Sequence, residues 1–219
     1  MNQPTVQLYQ GDCLEFMKTL APGMVDAVVT DPPYGISWSR GENKQRNSKS
    51  HNGIIGDEST FHRDEVLKFF SEKPCIAFGS FYAPFPENLK QVLVWHKPAD
   101  SGVVGSTTGF RRDAEPIFLV GNWPFRNVCR SSVLKSNGGQ AATVTETGHP
   151  HTKSVSLMMR LIEMIDGATV FDPFMGSGTT GVACMQLGRN FIGCEIDPGY
   201  FEIAKRRIET ARMQLRLEI

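Results

Sequence analysis

The chain has 219 residues, and 23 Lys and Arg are offset by 23 Asp and Glu, so its formal charge at pH 7 is zero. That length fits one domain with a full core, and 40% hydrophobic against 21% charged residues excludes a disordered polyelectrolyte. A neutral balance is a mild argument against nucleic-acid binding, which local basic patches can overcome. No apolar run reaches bilayer length, and Met1-Asn2-Gln3-Pro4 has no export character, so a cytoplasmic protein without membrane attachment is expected. Cys13, Cys75, Cys129, Cys184 and Cys194 lie without a CxxC pair. That spacing favours a reducing compartment over a disulfide framework or a zinc site, and no metal centre is expected.

In chain order, residues 6–9 read as a strand and 13–20 as a helix. A short buried strand over 26–30 leads into Asp31-Pro32-Pro33-Tyr34. Residues 35–58 form a mobile basic loop, with Arg40, Lys44, Arg46 and Lys49 against Glu42 in its polar part. Ser59 is positioned to cap a helix through Phe70, whose apolar face is Val66, Leu67, Phe69 and Phe70. Strands follow at 75–78 and 92–95, and a third at 116–120 lies within a loop-rich region, 97–148, that also holds a small-residue loop at 102–109 and an unpatterned stretch at 122–148 read as loops with at most one hairpin. The last third is regular: an amphipathic helix over 154–165, a strand over 169–171, a glycine turn, a helix over 179–187, a strand over 190–194 and a closing helix from 199. The strand–turn–helix–strand run within this third is a βαβ unit.

Two motifs carry chemistry. Asp31-Pro32-Pro33-Tyr34 directly follows a strand, where an α/β sheet places its binding crevice. Prolines donate no backbone hydrogen bond and stiffen the loop, so its carbonyls, the Asp31 carboxylate and the Tyr34 ring suit a flat base bearing an exocyclic amine. The second motif, Phe171-Asp172-Pro173-Phe174-Met175-Gly176-Ser177-Gly178-Thr179-Thr180-Gly181, contains a literal GxGxxG, and Glu195 ends the next strand. A dinucleotide site is the rival reading. Against it, four residues separate strand from first glycine, and Asp172-Pro173-Phe174 sits where a pyrophosphate meets bare backbone. A nucleoside cofactor without phosphates fits better: Asp172 for an α-amino group, Glu195 for ribose hydroxyls, and the helix N-terminus near Thr179 for a carboxylate. S-adenosylmethionine has all three groups. Glycines that merely let strand and helix pack closely are the plainer alternative.

Together, Asp31-Pro32-Pro33-Tyr34 and Phe174-Met175-Gly176-Ser177-Gly178 resemble the motifs of the amino methyltransferases of DNA, which act on adenine N6 or cytosine N4. The base motif preceding the cofactor motif is similar to the family's β-type order. Gly11-Asp12-Cys13, Trp95-His96-Lys97 and His149-Pro150-His151-Thr152-Lys153 resemble softer family elements, with Ser154 where a proline is common. The resemblance implies a doubly wound, mostly parallel seven-stranded α/β sheet, the Rossmann-like methyltransferase fold, over 1–219 as a single domain. It implies S-adenosylmethionine as cofactor, a prokaryotic or phage-encoded enzyme of the restriction-modification kind, and double-stranded DNA as partner of a monomer or homodimer. Asp31, Pro32, Pro33 and Tyr34 are then the catalytic set. Asp12, Asp31, Lys153, Phe171, Asp172, Phe174, Gly176, Ser177, Gly178, Thr179 and Glu195 are the cofactor set.

Asp31 and the Pro32 carbonyl would accept the two amine hydrogens and favour a tetrahedral nitrogen, while Tyr34 stacks on a base flipped from the duplex. Alignment supplies roughly 7–11 kcal/mol in well-oriented systems, and charge-directed acceptors roughly 3–4 kcal/mol. Adenine N6 is favoured, because cytosine N4 members of the family more often carry Ser in place of Asp31. Cytosine N4 is the alternative, followed by RNA or protein-amide methylation and a catalytically silent nucleic-acid-binding module. Cys75 begins an apolar strand, so it reads as core rather than as a C5-type nucleophile. Trp38, Arg40, Lys44, Arg46, Arg111 and Arg112 are the candidate DNA contacts, whereas Lys205, Arg206 and Arg207 read as ordinary helix surface. The shortness of 122–148, the segment available for target recognition, implies a short or relaxed target sequence.

Overall fold

A computed structural model describes residues 3–37, 55–97, 110–124, 130–135 and 153–217. Trp38, Arg40, Lys44, Arg46 and the segment 136–152 lie outside the described residues. The elements are β1 (Val6–Gln10), α1 (Cys13–Met17), β2 (Ala27–Thr30), α2 (Phe61–Phe69), β3 (Pro74–Phe78), β4 (Leu89–His96), β5 (Ala114–Gly121), β6 (Val133–Lys135), α3 (Val155–Ile162), β7 (Thr169–Asp172), α4 (Thr179–Gln186), β8 (Asn190–Glu195) and α5 (Pro198–Leu217). No described helix is long and apolar enough to cross a membrane.

The strands form one sheet in the order β1-β8-β7-β2-β3-β5-β4-β6. Among the described strands only β5 runs against the rest, since it pairs antiparallel with both β3 and β4 while the other pairings between them are parallel. The sheet thus has the mostly parallel, Rossmann-like arrangement, with an eighth strand beyond the expected seven. The extra strand is β6, from a stretch read as loops with at most one hairpin. It pairs with β4 at Val94↔Val133 and tucks Leu134 into the core. Three residues are too few to raise a periodicity in the sequence, and Leu134 is the one buried side chain among them.

Strand alternation builds two cores from the same strands. Val29, Ile76, Phe78, Ile117, Leu119 and Val170 face one layer, which includes Leu157, Met158 and Leu161 of α3, Val182 and Ala183 of α4 and Ala204 and Ile208 of α5. Val28, Cys75, Ala77, Phe118, Val120 and Phe171 face the other, with Cys13, Phe16, Val66, Leu67 and Phe70 around α1 and α2. The central strands are buried on both sides, which explains their unbroken apolar runs. Cys75 has no exposed surface, and burial pushes its thiol up to about 12.

Two helix ends differ from expectation. Helix α1 stops at Met17 rather than Leu20, because the next turn tightens: Thr19 and Leu20 donate to Phe16 and Met17, and the Thr19 hydroxyl also bonds the Phe16 carbonyl. Thr60, not Ser59, occupies the N-cap of α2, and Phe69 is half exposed, so the apolar face of that helix is Val66, Leu67 and Phe70.

The topology fixes the site. From β7 the chain passes through α4 to β8 on one side, and from β2 through α2 to β3 on the other. Since β2 and β7 are hydrogen-bonded neighbours, their carboxyl ends diverge into a crevice at this switch point. The Asp31 and Asp172 turns leave the sheet there.

Candidate active site

At the end of β2, Asp31 is held by two partners. Its Oδ2 lies 2.8 Å from Lys153 Nζ, and the Tyr34 hydroxyl donates to its Oδ1 at 2.7 Å. Lys153 stands just ahead of the Ser154 N-cap of α3 and also donates to the Tyr34 oxygen at 3.1 Å. Its third partner is Glu115 Oε2, at 3.3 Å, and Glu115 Oε1 pairs with Lys97 Nζ at 2.5 Å. The Lys153 ammonium also lies 4.8 Å from the Phe78 ring centre and 5.5 Å from that of Trp95. Carboxylate, phenol, ammonium, carboxylate and ammonium thus alternate across four segments of the chain.

Burial alone would push Lys153 down, but the Asp31 and Glu115 carboxylates more than offset it and hold the ammonium above its ordinary value. Burial alone would raise Glu115, yet Lys153 and Lys97 together hold it below. The Tyr34 phenol is driven well above its usual range by burial and by both carboxylates, so it stays a donor. A carboxylate offers about four acceptor positions, of which Asp31 uses two, so two remain for a ligand amine. Asp31 keeps 26% of its side-chain surface exposed, and that surface is where a ligand can reach it.

The glycine turn is built for close approach. Gly178 takes φ 81°, and a Cβ there would come within 2.9 Å of the Ala204 backbone in α5. At Gly181 a Cβ would fall 2.5 Å from Ile208. Two glycines of the literal GxGxxG therefore serve helix packing, the plainer alternative raised from the sequence. The first, Gly176, donates its backbone N–H to Glu195 Oε2 at 2.8 Å, and the Asp197 N–H meets Oε1 at 2.8 Å. Burial holds Glu195 above its ordinary value against the pull of those amides. Both oxygens keep spare acceptor capacity at the end of β8. Helix α4 starts after Gly178 with no side-chain cap, so its N-terminal amides remain donors for an anionic group.

Several residues of the expected cofactor set are engaged otherwise. Phe171 is fully buried, with its ring 5.5 Å from Phe70 and 6.1 Å from Phe16, and so is a core residue rather than a wall of the crevice. Asp172 is only 2% exposed. Its carboxylate accepts from the hydroxyls of Thr30 at 2.7 Å and Thr180 at 2.5 Å, and from the Phe174 N–H at 3.1 Å. Burial nevertheless pushes it up to about 7. It braces β2 against α4 across the switch point, which leaves Asp31 as the carboxylate with open surface there. Asp12 caps α1 by accepting from Leu14 and Glu15, next to Glu195 through the Gly11–Glu195 backbone bond. Phe174 is partly exposed at the turn.

Ser177 and Thr179 face a residue the sequence had assigned to plain surface. Arg207 of α5 donates to the Ser177 carbonyl at 2.5 Å, with Ser177 Oγ at 3.2 Å and Thr179 Oγ1 at 3.4 Å. It ties the glycine turn to the helix behind it. Asp57 is a second residue without a sequence signal: its carboxylate accepts from the Gly35 N–H and its carbonyl from the Ser37 N–H, so the segment after Tyr34 is clasped at its base. Of the expected DNA contacts among described residues, Arg111 pairs with Asp113 at 3.3 Å and Arg112 lies over the Tyr82 ring.

Residues 121–206 match the family described as DNA methylase. Among curated relatives, the type II methyltransferase M.ScaI of Streptomyces caespitosus is 25% identical, across 96% of this chain and 83% of its own length. The crystal structure of the M1.HpyAVI–SAM complex aligns with a TM-score of 0.61 at 25% identity, covering 93% of this chain and 99% of that one. PvuII DNA methyltransferase, cytosine-N4-specific, shares the fold with a TM-score of 0.61 at 16% identity, covering 98% of this chain and 95% of that one.

Proposed function

We propose that this chain is an S-adenosylmethionine-dependent amino DNA methylase, a reading supported by its likeness to that family over residues 121–206, to M.ScaI and to the M1.HpyAVI–SAM complex, and that it methylates the exocyclic N6 of adenine in double-stranded DNA, on a base flipped into the switch-point crevice. The observation that carries the reading is Asp31, a carboxylate with open surface, fixed by Lys153 and Tyr34 at the end of β2. Bound S-adenosylmethionine supplies an electrophilic methyl group on a sulfonium. Glu195 would hold its ribose hydroxyls and the amides at the start of α4 its carboxylate. The residues present fit that molecule: the partly exposed Asp31 carboxylate, the Glu195 carboxylate with spare acceptor capacity and the uncapped start of α4 lie around one crevice.

The amine of adenine is a weak nucleophile because its lone pair is delocalised into the ring. Asp31 accepts one N–H and favours a tetrahedral nitrogen as positive charge develops there, while the rigid Pro32-Pro33 backbone aligns the base. Tyr34 offers the flipped base its ring while its hydroxyl stays on Asp31 and Lys153. Asp31 is an orienting acceptor, and once the methyl has arrived the positively charged nitrogen releases its proton to solvent and becomes a neutral secondary amine. The Asp at this position, where cytosine N4 members more often have Ser, favours adenine.

The test is methyl transfer from labelled S-adenosylmethionine to unmethylated DNA, followed by nucleoside analysis. N6-methyladenine is expected; N4-methylcytosine would correct the base and keep the chemistry, and unlabelled DNA beside labelled RNA or protein would move the substrate. Glu195→Ala tests the cofactor assignment. Its carboxylate bonds the turn and is proposed to bond the ribose, so S-adenosylmethionine affinity should fall about tenfold or more. An unchanged Kd by calorimetry would remove Glu195 from the cofactor site.

A further inference from the structure

Beyond the crevice, β3 ends in a loop that presents large rings to solvent. Tyr82 is 72% exposed and Phe81 49%, and large apolar side chains grouped at a surface, unlike single ones, mark contact sites. The loop under them is fixed. Gly79 donates to the Pro116 carbonyl, Tyr82 N–H to Ser80 Oγ at 3.1 Å, and Phe85 packs its ring 4.9 Å from Phe118. The Arg112 guanidinium lies 4.8 Å from the Tyr82 ring centre, where it stiffens the exposed ring and adds positive charge beside it. Arg112 precedes β5, on which Glu115 bonds Lys153 and Tyr34, and β3 is the immediate neighbour of β2. The ring therefore stands on the same end of the sheet as Asp31, one strand further along.

We propose that Tyr82 and Arg112 form a stacking platform for an unstacked base of the DNA next to the flipped target. The proposal rests on the reading of the crevice as a DNA-methylating site. Extruding a base strips its neighbours and its former partner of a stacking face. A fixed aromatic ring with a guanidinium beside it replaces that face and meets the adjoining phosphate. The surface is planar, cationic and sequence-tolerant, which suits a nucleobase better than an apolar protein partner.

Equilibrium binding to unmethylated duplex, with 2-aminopurine next to the methylated position, reads the platform directly. Tyr82→Ala should weaken DNA binding roughly tenfold, the scale of one lost base–aromatic stack, and abolish the stacking quench of 2-aminopurine fluorescence. Tyr82→Trp should keep both within about twofold, since it keeps a π face, and S-adenosylmethionine affinity should not move in either variant. Wild-type DNA affinity and wild-type quenching in Tyr82→Ala would overturn the platform. Wild-type enzyme that binds DNA without methylating it would overturn the catalytic reading instead, and the same comparison of variants would still decide the platform.

Discussion

Asp31→Ala should lose most of its turnover, with kcat down roughly 100- to 1,000-fold, while binding S-adenosylmethionine nearly as well as the wild type. The magnitude follows from removing one acceptor aimed at developing charge, worth roughly 3–4 kcal/mol, at about 1.4 kcal/mol per tenfold in rate. Affinity survives because Glu195 and the amides at the start of α4 remain in place. The loss should not come from collapse of the network either, since Lys153 keeps Glu115 at 3.3 Å and the Tyr34 oxygen at 3.1 Å. Single-turnover methyl transfer with saturating cofactor, beside calorimetric cofactor binding, separates these effects. A variant as active as the wild type would take Asp31 out of the mechanism. Loss of affinity matching the loss of rate would make it chiefly a cofactor ligand. Asp31→Asn refines the result: it keeps the shape and one carbonyl acceptor but not the charge, so it should fall between the two.

What the sequence revealed and what it hid divide along one physical line. The β7–α4–β8 unit was legible because its signals are local: an apolar strand, turn glycines, a helical period and a second strand within one short stretch. Asp31 was legible for the same reason, as a polar motif placed directly after an apolar strand. The network around it was not. Lys97, Glu115 and Lys153 come from three separate parts of the chain, and only the antiparallel placement of β5 between β3 and β4 brings Glu115 to the end of β2. The visible hint was a charged residue beside Pro116 at the head of an apolar strand. Phe171 marks a different failure. Successive strand residues face opposite sides, so Phe171 and Asp172 cannot both line the crevice, and the period of two already separated them. Arg207 was hidden because an arginine on an amphipathic helix looks the same in sequence whether it meets water or, as here, the carbonyl of a turn far back in the chain.

Lys153→Met should destabilise the protein by about 3 kcal/mol at neutral pH, near the lower end of the cost of breaking a buried ion pair. Lys153 has only 6% of its side chain exposed, yet Glu115 keeps Lys97, and Asp31 retains contact with solvent. Those two facts place the effect low in that range. Methionine preserves the unbranched stem against Phe78 and Trp95, so the change isolates the charge. The pH dependence separates charge from packing. Glu115 is held below its unfolded value, so its contribution is present above that value and is lost as pH falls through its folded one. Lys153 is held above its unfolded value, so its contribution is complete below that value and is lost as pH rises through its folded one. The gap between wild type and variant should therefore be widest across the neutral range and narrow towards both acid and strong alkali. Urea unfolding at pH 7 and at pH 4 tests this, with a smaller gap expected at pH 4. An equal gap at both would assign the loss to packing of the lysine stem. The companion variant Lys153→Met with Glu115→Gln removes the Glu115 charge together with that of Lys153, and should recover part of the stability without restoring turnover. Recovery of turnover as well would mean that Lys153 serves the fold alone, and that Asp31 can be held in place by Tyr34.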